Sequence, residues 1–335
     1  MEFRVDSSIS QEEIKNLLKD YKFLPFREYG LDKNKLENFT ASKTIYRLKR
    51  KEAEAVTVRG DKSKLLGLVT FSKLDWDSTH FGIPMAIISD VIISEEVSNL
   101  RETKKRTITL ALSELQKRGI RHVSTKVDIY DIATAQALEM AGFRLMDTTV
   151  IYGFDFRKSK IPKFEDQCTL RLAKSEDENA LIGVAKISFS KTRISDDRFH
   201  ADPDLSQEKS DALYVEWIRN SIRGEIADAI IVAEMGGKPV GFTTIENFRV
   251  KTDQVGVNIG ALILSAVIPE ARGRGVYTSM IRKGLEYLKP MVDIAELGTQ
   301  ITNFPVQKAW STLGFKLTSG AYAFHRTLQK NQLLS

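Results

Sequence analysis

Short apolar runs alternate along the chain with stretches in which apolar residues recur every three or four positions. Ala55–Val58, Leu65–Phe71, Met85–Ile93 and His122–Val127 are rich in Val, Ile and Phe and bounded by polar turns, which predicts strands. Thr169–Leu172, Ile230–Glu234, Val240–Asn247, Ile294–Gln300 and Ala321–Arg326 read the same way, and Gly236-Gly237-Lys238-Pro239 predicts a hairpin. Helical spacing marks residues 106–117, 176–187, 209–221 and 276–288. Near the start, Ser10 and Glu13 fit a capping box ahead of a face made by Ile14, Leu17 and Leu18.

One stretch organises the rest. Ile259–Ile268 is a continuous apolar run, as expected of a buried strand, and Pro269 ends it by offering no amide to a ladder. The loop Arg272-Gly273-Arg274-Gly275 follows, and then a helix carrying Val276, Met280, Ile281, Leu285 and Leu288. A strand that delivers a glycine loop to a helix N-terminus makes an anion site, because free amides and the positive end of the helix dipole converge there. The glycines allow close backbone approach, and Arg272 and Arg274 add charge.

The segment from Asp131 repeats at constant offset. Asp131, Ala137, Gly142 and Phe143 fall under Asn303, Ala309, Gly314 and Phe315. Two tandem modules are therefore expected, at residues 41–160 and 161–335, after a helical cap at 1–40. The boundary falls near Arg157–Phe164. Each module should be α/β (α+β), a twisted mixed sheet flanked by helices. Between Ile93 and Arg106 the first module has no glycine and carries Glu95 and Glu96, which would repel a phosphate. The second module is thus expected to hold the ligand.

Composition narrows the field. A chain of 335 residues accommodates two ordinary domains. No apolar run reaches the roughly 18 residues that suggest a membrane span, and the acidic N-terminal stretch is not a signal peptide. One cysteine excludes an internal disulfide, and the four histidines have no metal-ligand spacing along the sequence. A cytoplasmic, metal-free protein is expected, and a homodimer is compatible with it. The net charge of +6 suits an anionic partner. No aromatic-interleaved basic patch points to nucleic acid.

The loop at 272–277 resembles motif A of the GNAT N-acetyltransferases, Arg-x-x-Gly-x-Gly/Ala, with Arg272 and Gly275 matching and Tyr277 in the last small-residue place. Their second signature, Asn-x-x-Ala-x-x-x-Tyr-x-x-x-Gly-Phe, is matched by Asn303, Gly314 and Phe315, with Val306 at the alanine and Trp310 at the tyrosine. Leu74–Gly82, which includes Trp76-Asp77-Ser78, and the string Arg198-Phe199-His200-Ala201-Asp202-Pro203 are similar to segments of the subgroup that acetylates dTDP-fucosamine. Read from residue types alone, the first is a turn whose two aromatics plug the core, or a ligand edge.

The resemblance implies acetyl-CoA as co-substrate and direct transfer to an amine, with no protein nucleophile. It places the cofactor against Ala266, Val267, Arg272, Gly273, Arg274, Gly275, Val276, Tyr277, Asn303 and Trp310. The connection running from Ser190 to Pro203 would line the acceptor pocket, with Arg198 and His200 on the substrate. Arg198 pairing with Asp196 or Asp202 is the equal alternative. Glu246 and His200 are candidate bases. Tyr322, Tyr277 or water would protonate the leaving thiolate, since an indole at Trp310 does not readily supply a proton. The expected acceptor is the amino group of a nucleotide-linked deoxy sugar. A peptide, an amino acid or another small amine is the alternative, as are a non-catalytic acyl-CoA-binding protein, favoured by the lack of tyrosine at 310, and a tandem scaffold without cofactor.

Overall fold

The computed structural model describes residues 1–6, 8–189 and 197–329, which divide into two compact units. The first comprises Met1–Thr148 with Ala201–Asp204 and the chain from Gly320; the second comprises Thr149–His200 and Leu205–Ser319. No helix among the described residues is long and apolar enough to cross a membrane.

In chain order the elements are β1 (Glu2–Val5), α1 (Gln11–Leu18), α2 (Lys33–Lys49), β2 (Glu54–Arg59), β3 (Leu65–Lys73), α3 (Asp75–Phe81), β4 (Met85–Ile93), α4 (Leu100–Lys117), β5 (His122–Asp128), α5 (Ile132–Met140) and β6 (Arg144–Asp155). The same succession then recurs as β7 (Thr169–Leu172), α6 (Glu178–Phe189), α7 (Gln207–Ile222), β8 (Ala229–Met235), β9 (Lys238–Val250), α8 (Thr252–Val255), β10 (Ile259–Val267), α9 (Val276–Leu288), β11 (Ile294–Gln300), α10 (Phe304–Thr312) and β12 (Lys316–Thr327). The repeat seen in sequence over thirteen residues thus runs through every element.

Two expectations are revised. Residues 1–40 are not a separate cap, because β1 pairs antiparallel with β2 from Glu2↔Arg59 to Val5↔Val56, and α1 and α2 take the places that α6 and α7 hold in the second half. The division between units also falls elsewhere than at residue 160. The twelve-residue strands β6 and β12 each pass from one unit to the other, at Thr148/Thr149 and Ser319/Gly320. Within the first unit the strand order is therefore β1-β2-β3-β4-β5-β12, and within the second β6-β11-β10-β9-β8-β7. The last strand of the chain completes the first unit. A repeat alignment shows only that two such strands exist, and says nothing of which sheet each joins.

In the first unit, α4 lays Ile108, Ala111, Leu112 and Leu115 on the sheet beside Phe71, Ile88 and Phe324. In the second, α9 buries Val276, Met280, Ile281, Leu285 and Leu288 almost completely against Ile245, Leu262 and Leu297. Each such side chain contributes about 1.5–3 kcal/mol on burial. Gly284 lets α9 sit this close, since a Cβ there would stand 2.4 Å from Leu262 Cδ2.

The segment Leu74–Gly82 is a helix rather than a turn. Phe81 plugs the core as expected, but Trp76 is 47 % exposed and stacked on His80, with ring centroids 5.1 Å apart.

Candidate functional site

β10 and β11 run parallel and pair only from Ile259↔Ile294 to Leu262↔Leu297. Beyond Leu262, β10 continues with β9 on its other side, from Ser265↔Thr243 to Val267↔Gly241, after a register shift. β11 continues with β6 as far as Gln300↔Thr149. The two parallel strands therefore separate, and the outer half of β10 has lost one neighbour. Ala266 and Val267 lie on that half, at the mouth of the phosphate-type loop.

The loop takes the conformation its glycines were expected to supply. Gly273 and Gly275 have φ of 73° and 78°, in the left-handed region. Gly275 is the N-cap of α9, with no side-chain hydrogen bond capping the helix and no acid in its first turn. The first amides of a helix need an acceptor from outside when no cap is present, so this end is suited to an anion. Arg274 is exposed. Arg272 is exposed too, but its Nε donates to the Val267 carbonyl at 3.0 Å, which folds the loop back on the strand end. Gly275 has a second reason to be glycine, because a Cβ would stand 2.9 Å from Gln167 Cγ. The stretch from Phe164 to Gln167, just after the expected module boundary, lies along α9. Arg282 pairs with Asp166 at 2.5 Å, and its guanidinium sits 5.0 Å from the Phe164 ring centroid.

Two of the three positions that depart from the family signatures meet. Trp310 Nε1 donates to the Tyr277 hydroxyl at 3.0 Å, and Ser265 is a second hydrogen-bond partner of that hydroxyl. Ser265 Oγ and Thr243 Oγ1 are 2.7 Å apart. Burial holds the Tyr277 proton well above the usual phenol range, against the opposing effect of Trp310 and Ser265. A hydroxyl therefore stands over the separated half of β10, carried by α9 rather than α10. Asn303 precedes α10 and donates to Thr299 Oγ1 at 2.9 Å, and Tyr152 packs edge-on against Trp310.

The remaining candidates are distributed differently from expectation. Tyr322 belongs to the first unit, opposite Val127 on β5. Glu246 is half-buried on β9, in register with Ala261, which is in turn in register with Glu296 of β11. His200 has both ring nitrogens committed, Nδ1 to Asp197 at 2.8 Å and Nε2 to Asp211 at 3.1 Å. Hydrogen bonding to Asp197 raises its pKa despite burial. Both ring nitrogens face carboxylates, so neither is presented to an acceptor amine as the expected base role requires. Asp197 also accepts from the Tyr214 hydroxyl at 2.5 Å. Burial pushes the Asp197 carboxyl up, but His200 and Tyr214 outweigh this and bring it down to about 2. Arg198 lies over the Phe199 ring, 4.5 Å from its centroid. The first part of that connection, 190–196, lies outside the described residues.

Asp202, the equal alternative partner for Arg198, is instead claimed inside the first unit. Its Oδ2 is 2.8 Å from His122 Nε2 and 2.7 Å from His325 Nδ1, and all three side chains are buried. Sequence spacing missed this cluster because its members lie 80 and 123 positions apart. The three ligand atoms lie within 4.8 Å, a set that could take a divalent ion. The contacts are nevertheless those of hydrogen bonds. A tetrahedral site with bonds of about 2.0–2.1 Å would hold such atoms farther apart, and the outer nitrogen of His122 lacks the acceptor a metal-bound imidazole normally has. Burial raises the Asp202 carboxyl, but both imidazoles and the Asp204 amide hold it well below the usual range.

Residues 192–315 match the family described as Acetyltransferase (GNAT) family. Spore coat polysaccharide biosynthesis protein SpsD of Bacillus subtilis is 25% identical over 150 residues, 44% of this chain, and the match spans about half (47%) of that relative. A GCN5-related N-acetyltransferase from Sphaerobacter thermophilus superposes with a TM-score of 0.64 at 12% identity, over 97% of this chain and 95% of its own. A tandem GNAT protein from the clavulanic acid biosynthesis pathway superposes with a TM-score of 0.57 at 14% identity, over 97% and 98%. The chain thus has the fold of tandem GNAT proteins, and its residues 192–315 match the GNAT acetyltransferase family.

Proposed function

We propose that the chain transfers an acetyl group from acetyl-CoA to an amine, using the cleft of the second unit. The observation that carries this reading is the separation of β10 from β11 in front of a helix whose N-terminus has a left-handed glycine and no cap. The amides at Val276 and Tyr277, with Arg274, would take the pyrophosphate, while Ala266 and Val267 would face the acyl end. When bound, acetyl-CoA supplies an activated thioester. The amine nitrogen attacks its carbonyl carbon, the C–N bond forms and the C–S bond breaks. The ammonium proton leaves to a base, and the sulfur ends as a thiol. Holding the two reactants in line is the main task of the protein. Backbone amides of β10 would stabilise the oxyanion.

Tyr277 takes the thiol-side role in this reading, in preference to Tyr322. Its hydroxyl stays protonated at neutral pH and donates to the developing thiolate while Trp310 supports its oxygen. A hydroxyl beside the indole also makes good the lack of tyrosine at 310, which otherwise favours a non-catalytic binder. Glu246 is the remaining candidate base, acting directly or through water.

The acceptor we infer is the amino group of a nucleotide-linked amino-deoxy sugar. This is supported by the Trp76-Asp77-Ser78 and Arg198–Pro203 strings and by the similarity to a polysaccharide biosynthesis protein. The test is calorimetric titration with acetyl-CoA of the parent and Gly275→Glu, followed by thiol release with a panel of dTDP-amino sugars, amino acids and peptides. Binding lost in the variant and turnover on the sugars alone are expected. Binding without turnover on any amine would replace catalysis by storage, and no binding in the parent would end the reading.

A further inference from the structure

The first unit has its own pair of separating strands. β4 and β5 pair parallel only from Met85↔His122 to Ile88↔Thr125, a four-residue contact like that of β10 and β11. Beyond it β4 runs on through Asp90 to Ile93 with β3 alone. The fold has therefore made the same cleft twice, but the two clefts lead into different helices. α9 has 13 residues, whereas α4 has 18 and starts after a loop with no left-handed residue. Its N-cap is provided by Asn99, whose side chain accepts from the Glu102 amide. The helix end that is uncapped in the second unit is satisfied in the first.

The interior of this first cleft is filled from within the chain. Lys104, on the second turn of α4, is buried with its Nζ 2.9 Å from both oxygens of Asp131 and hydrogen-bonded to Thr134. Asp131 stands at the repeat position of Asn303, so the charged pair replaces a polar residue of the second unit. The connection after α1 then folds over the mouth. Half-buried Tyr21 lines the space beside Asp131, Ile93 and Lys104, and the burial of its ring, then the charges of Asp131, Asp90 and Asp128, hold its proton far above the usual range. Lys22 pairs with Glu95 at 2.7 Å, and Arg27 bridges to Asp128 at 2.7 Å while lying over the Phe23 and Tyr130 rings. A cavity of about 140 Å³ remains, lined by Tyr21, Ile93, Glu95, Leu100, Lys104 and Tyr130 among others. Ligand pockets usually measure about 300–1,000 Å³.

The geometry points to Tyr21 as a built-in occupant of the first unit's cleft, standing where a coenzyme would otherwise enter. The cleft is sealed by the chain itself, and each chain binds one acyl-CoA. This stoichiometry rests on the function proposed above, but the seal does not. Lys104 and Asp131 neutralise one another, so no unpaired charge invites a ligand. Tyr21 supplies the aromatic bulk, and the two surface ion pairs hold its connection in place.

Two measurements on the full chain test this. The first is the alkaline difference spectrum between the parent and Tyr21→Phe. An exposed tyrosine ionises near pH 10, so an open cleft would give one extra phenolate by about pH 11. A sealed one should give no difference until the protein unfolds. Early ionisation would overturn the seal whatever the chemistry of the second unit. The second is the acetyl-CoA stoichiometry of the parent and Gly275→Glu, expected to be one and none. A site surviving in Gly275→Glu would show that the first cleft is open. A parent that binds none, with Tyr21 still silent, would refute the proposed function and leave the seal standing.

Discussion

Trp310 donates its indole N–H to the hydroxyl of Tyr277 at 3.0 Å, joining two of the three positions at which this chain departs from the GNAT signatures. In the proposed reading these two departures compensate each other. A family tyrosine on α10 is replaced by an indole, and a family small residue on α9 by the hydroxyl that the indole supports. Tyr277→Phe should strand the buried Trp310 N–H and cost about 1–3 kcal/mol, while Trp310→Phe, which leaves the Tyr277 hydroxyl its Ser265 partner, should cost less. The double variant should cost clearly less than their sum. A double-mutant cycle by urea denaturation reads this coupling, and simple additivity would mean that the bond contributes nothing.

Tyr277→Phe should also slow turnover by about 100-fold if its hydroxyl meets the leaving sulfur, with acetyl-CoA affinity nearly unchanged. Tyr322→Phe should leave turnover within about twofold. A reversed ranking would return the role to the strand tyrosine.

The loop variants should separate charge from conformation. Arg274→Ala removes only a positive charge and should weaken acetyl-CoA binding more at low salt than at high salt. Gly275→Ala forces a side chain into a left-handed φ and against Gln167, so it should both destabilise the fold, by about 1 kcal/mol or more, and weaken binding at any salt. Calorimetry at two ionic strengths distinguishes them.

His200 and Asp197 make a pH-dependent contribution to stability. Asp197 is depressed to about 2, so its contribution is present above its unfolded pKa, near 4, and is lost as pH falls through about 2. It is on the order of 2 kcal/mol. His200 is raised, so its contribution is complete below about pH 6.5 and is lost as pH rises through its folded value. The melting temperature difference between the parent and His200→Gln should therefore be largest between about pH 4 and 6.5. A flat difference from pH 4 to 9 would mean that the imidazole is uncharged.

The Asp202 clamp should respond to geometry rather than to metal. His325→Asn keeps a donor at the Nδ1 position and His122→Gln keeps one at Nε2, so both should be milder than the alanine variants. Asp202→Ala, which removes the shared acceptor, should cost about 3–5 kcal/mol. Zinc or a chelator should leave the melting temperature of the parent unchanged, and a rise with zinc would convert the clamp into a metal site.

Much of this was legible in the sequence because it is local. The run 259–268, the proline that stops it and the two glycines lie within seventeen residues of one another, and backbone chemistry dictates what they do. The tandem repeat was visible through Gly142-Phe143 and Gly314-Phe315, since both copies need the same turn before their last strand. The functions of His200 and Asp202 were not legible. Their string reads as substrate-binding, yet partners at Asp211, His122 and His325, brought together only by the fold, had already claimed them. Tyr21 was invisible for the same reason, as nothing beside it in sequence says that it lines a cavity with Lys104 and Asp131. Spacing along the chain reports what the backbone does, while side-chain roles depend on pairings made across sheets.

The passage of β6 and β12 between the two units bears on how this protein is born. A ribosome releases about 5–20 residues per second, so the amino-terminal half spends many seconds outside the tunnel before the residues from Gly320 onward emerge. Until then the edge of β5 that faces Ala321–Thr327 has no strand to bond. Cutting the gene at the apparent module boundary would yield a first half lacking its final strand and exposing Val123, Thr125 and Val127 on a bare edge. The unit made first is the unit finished last.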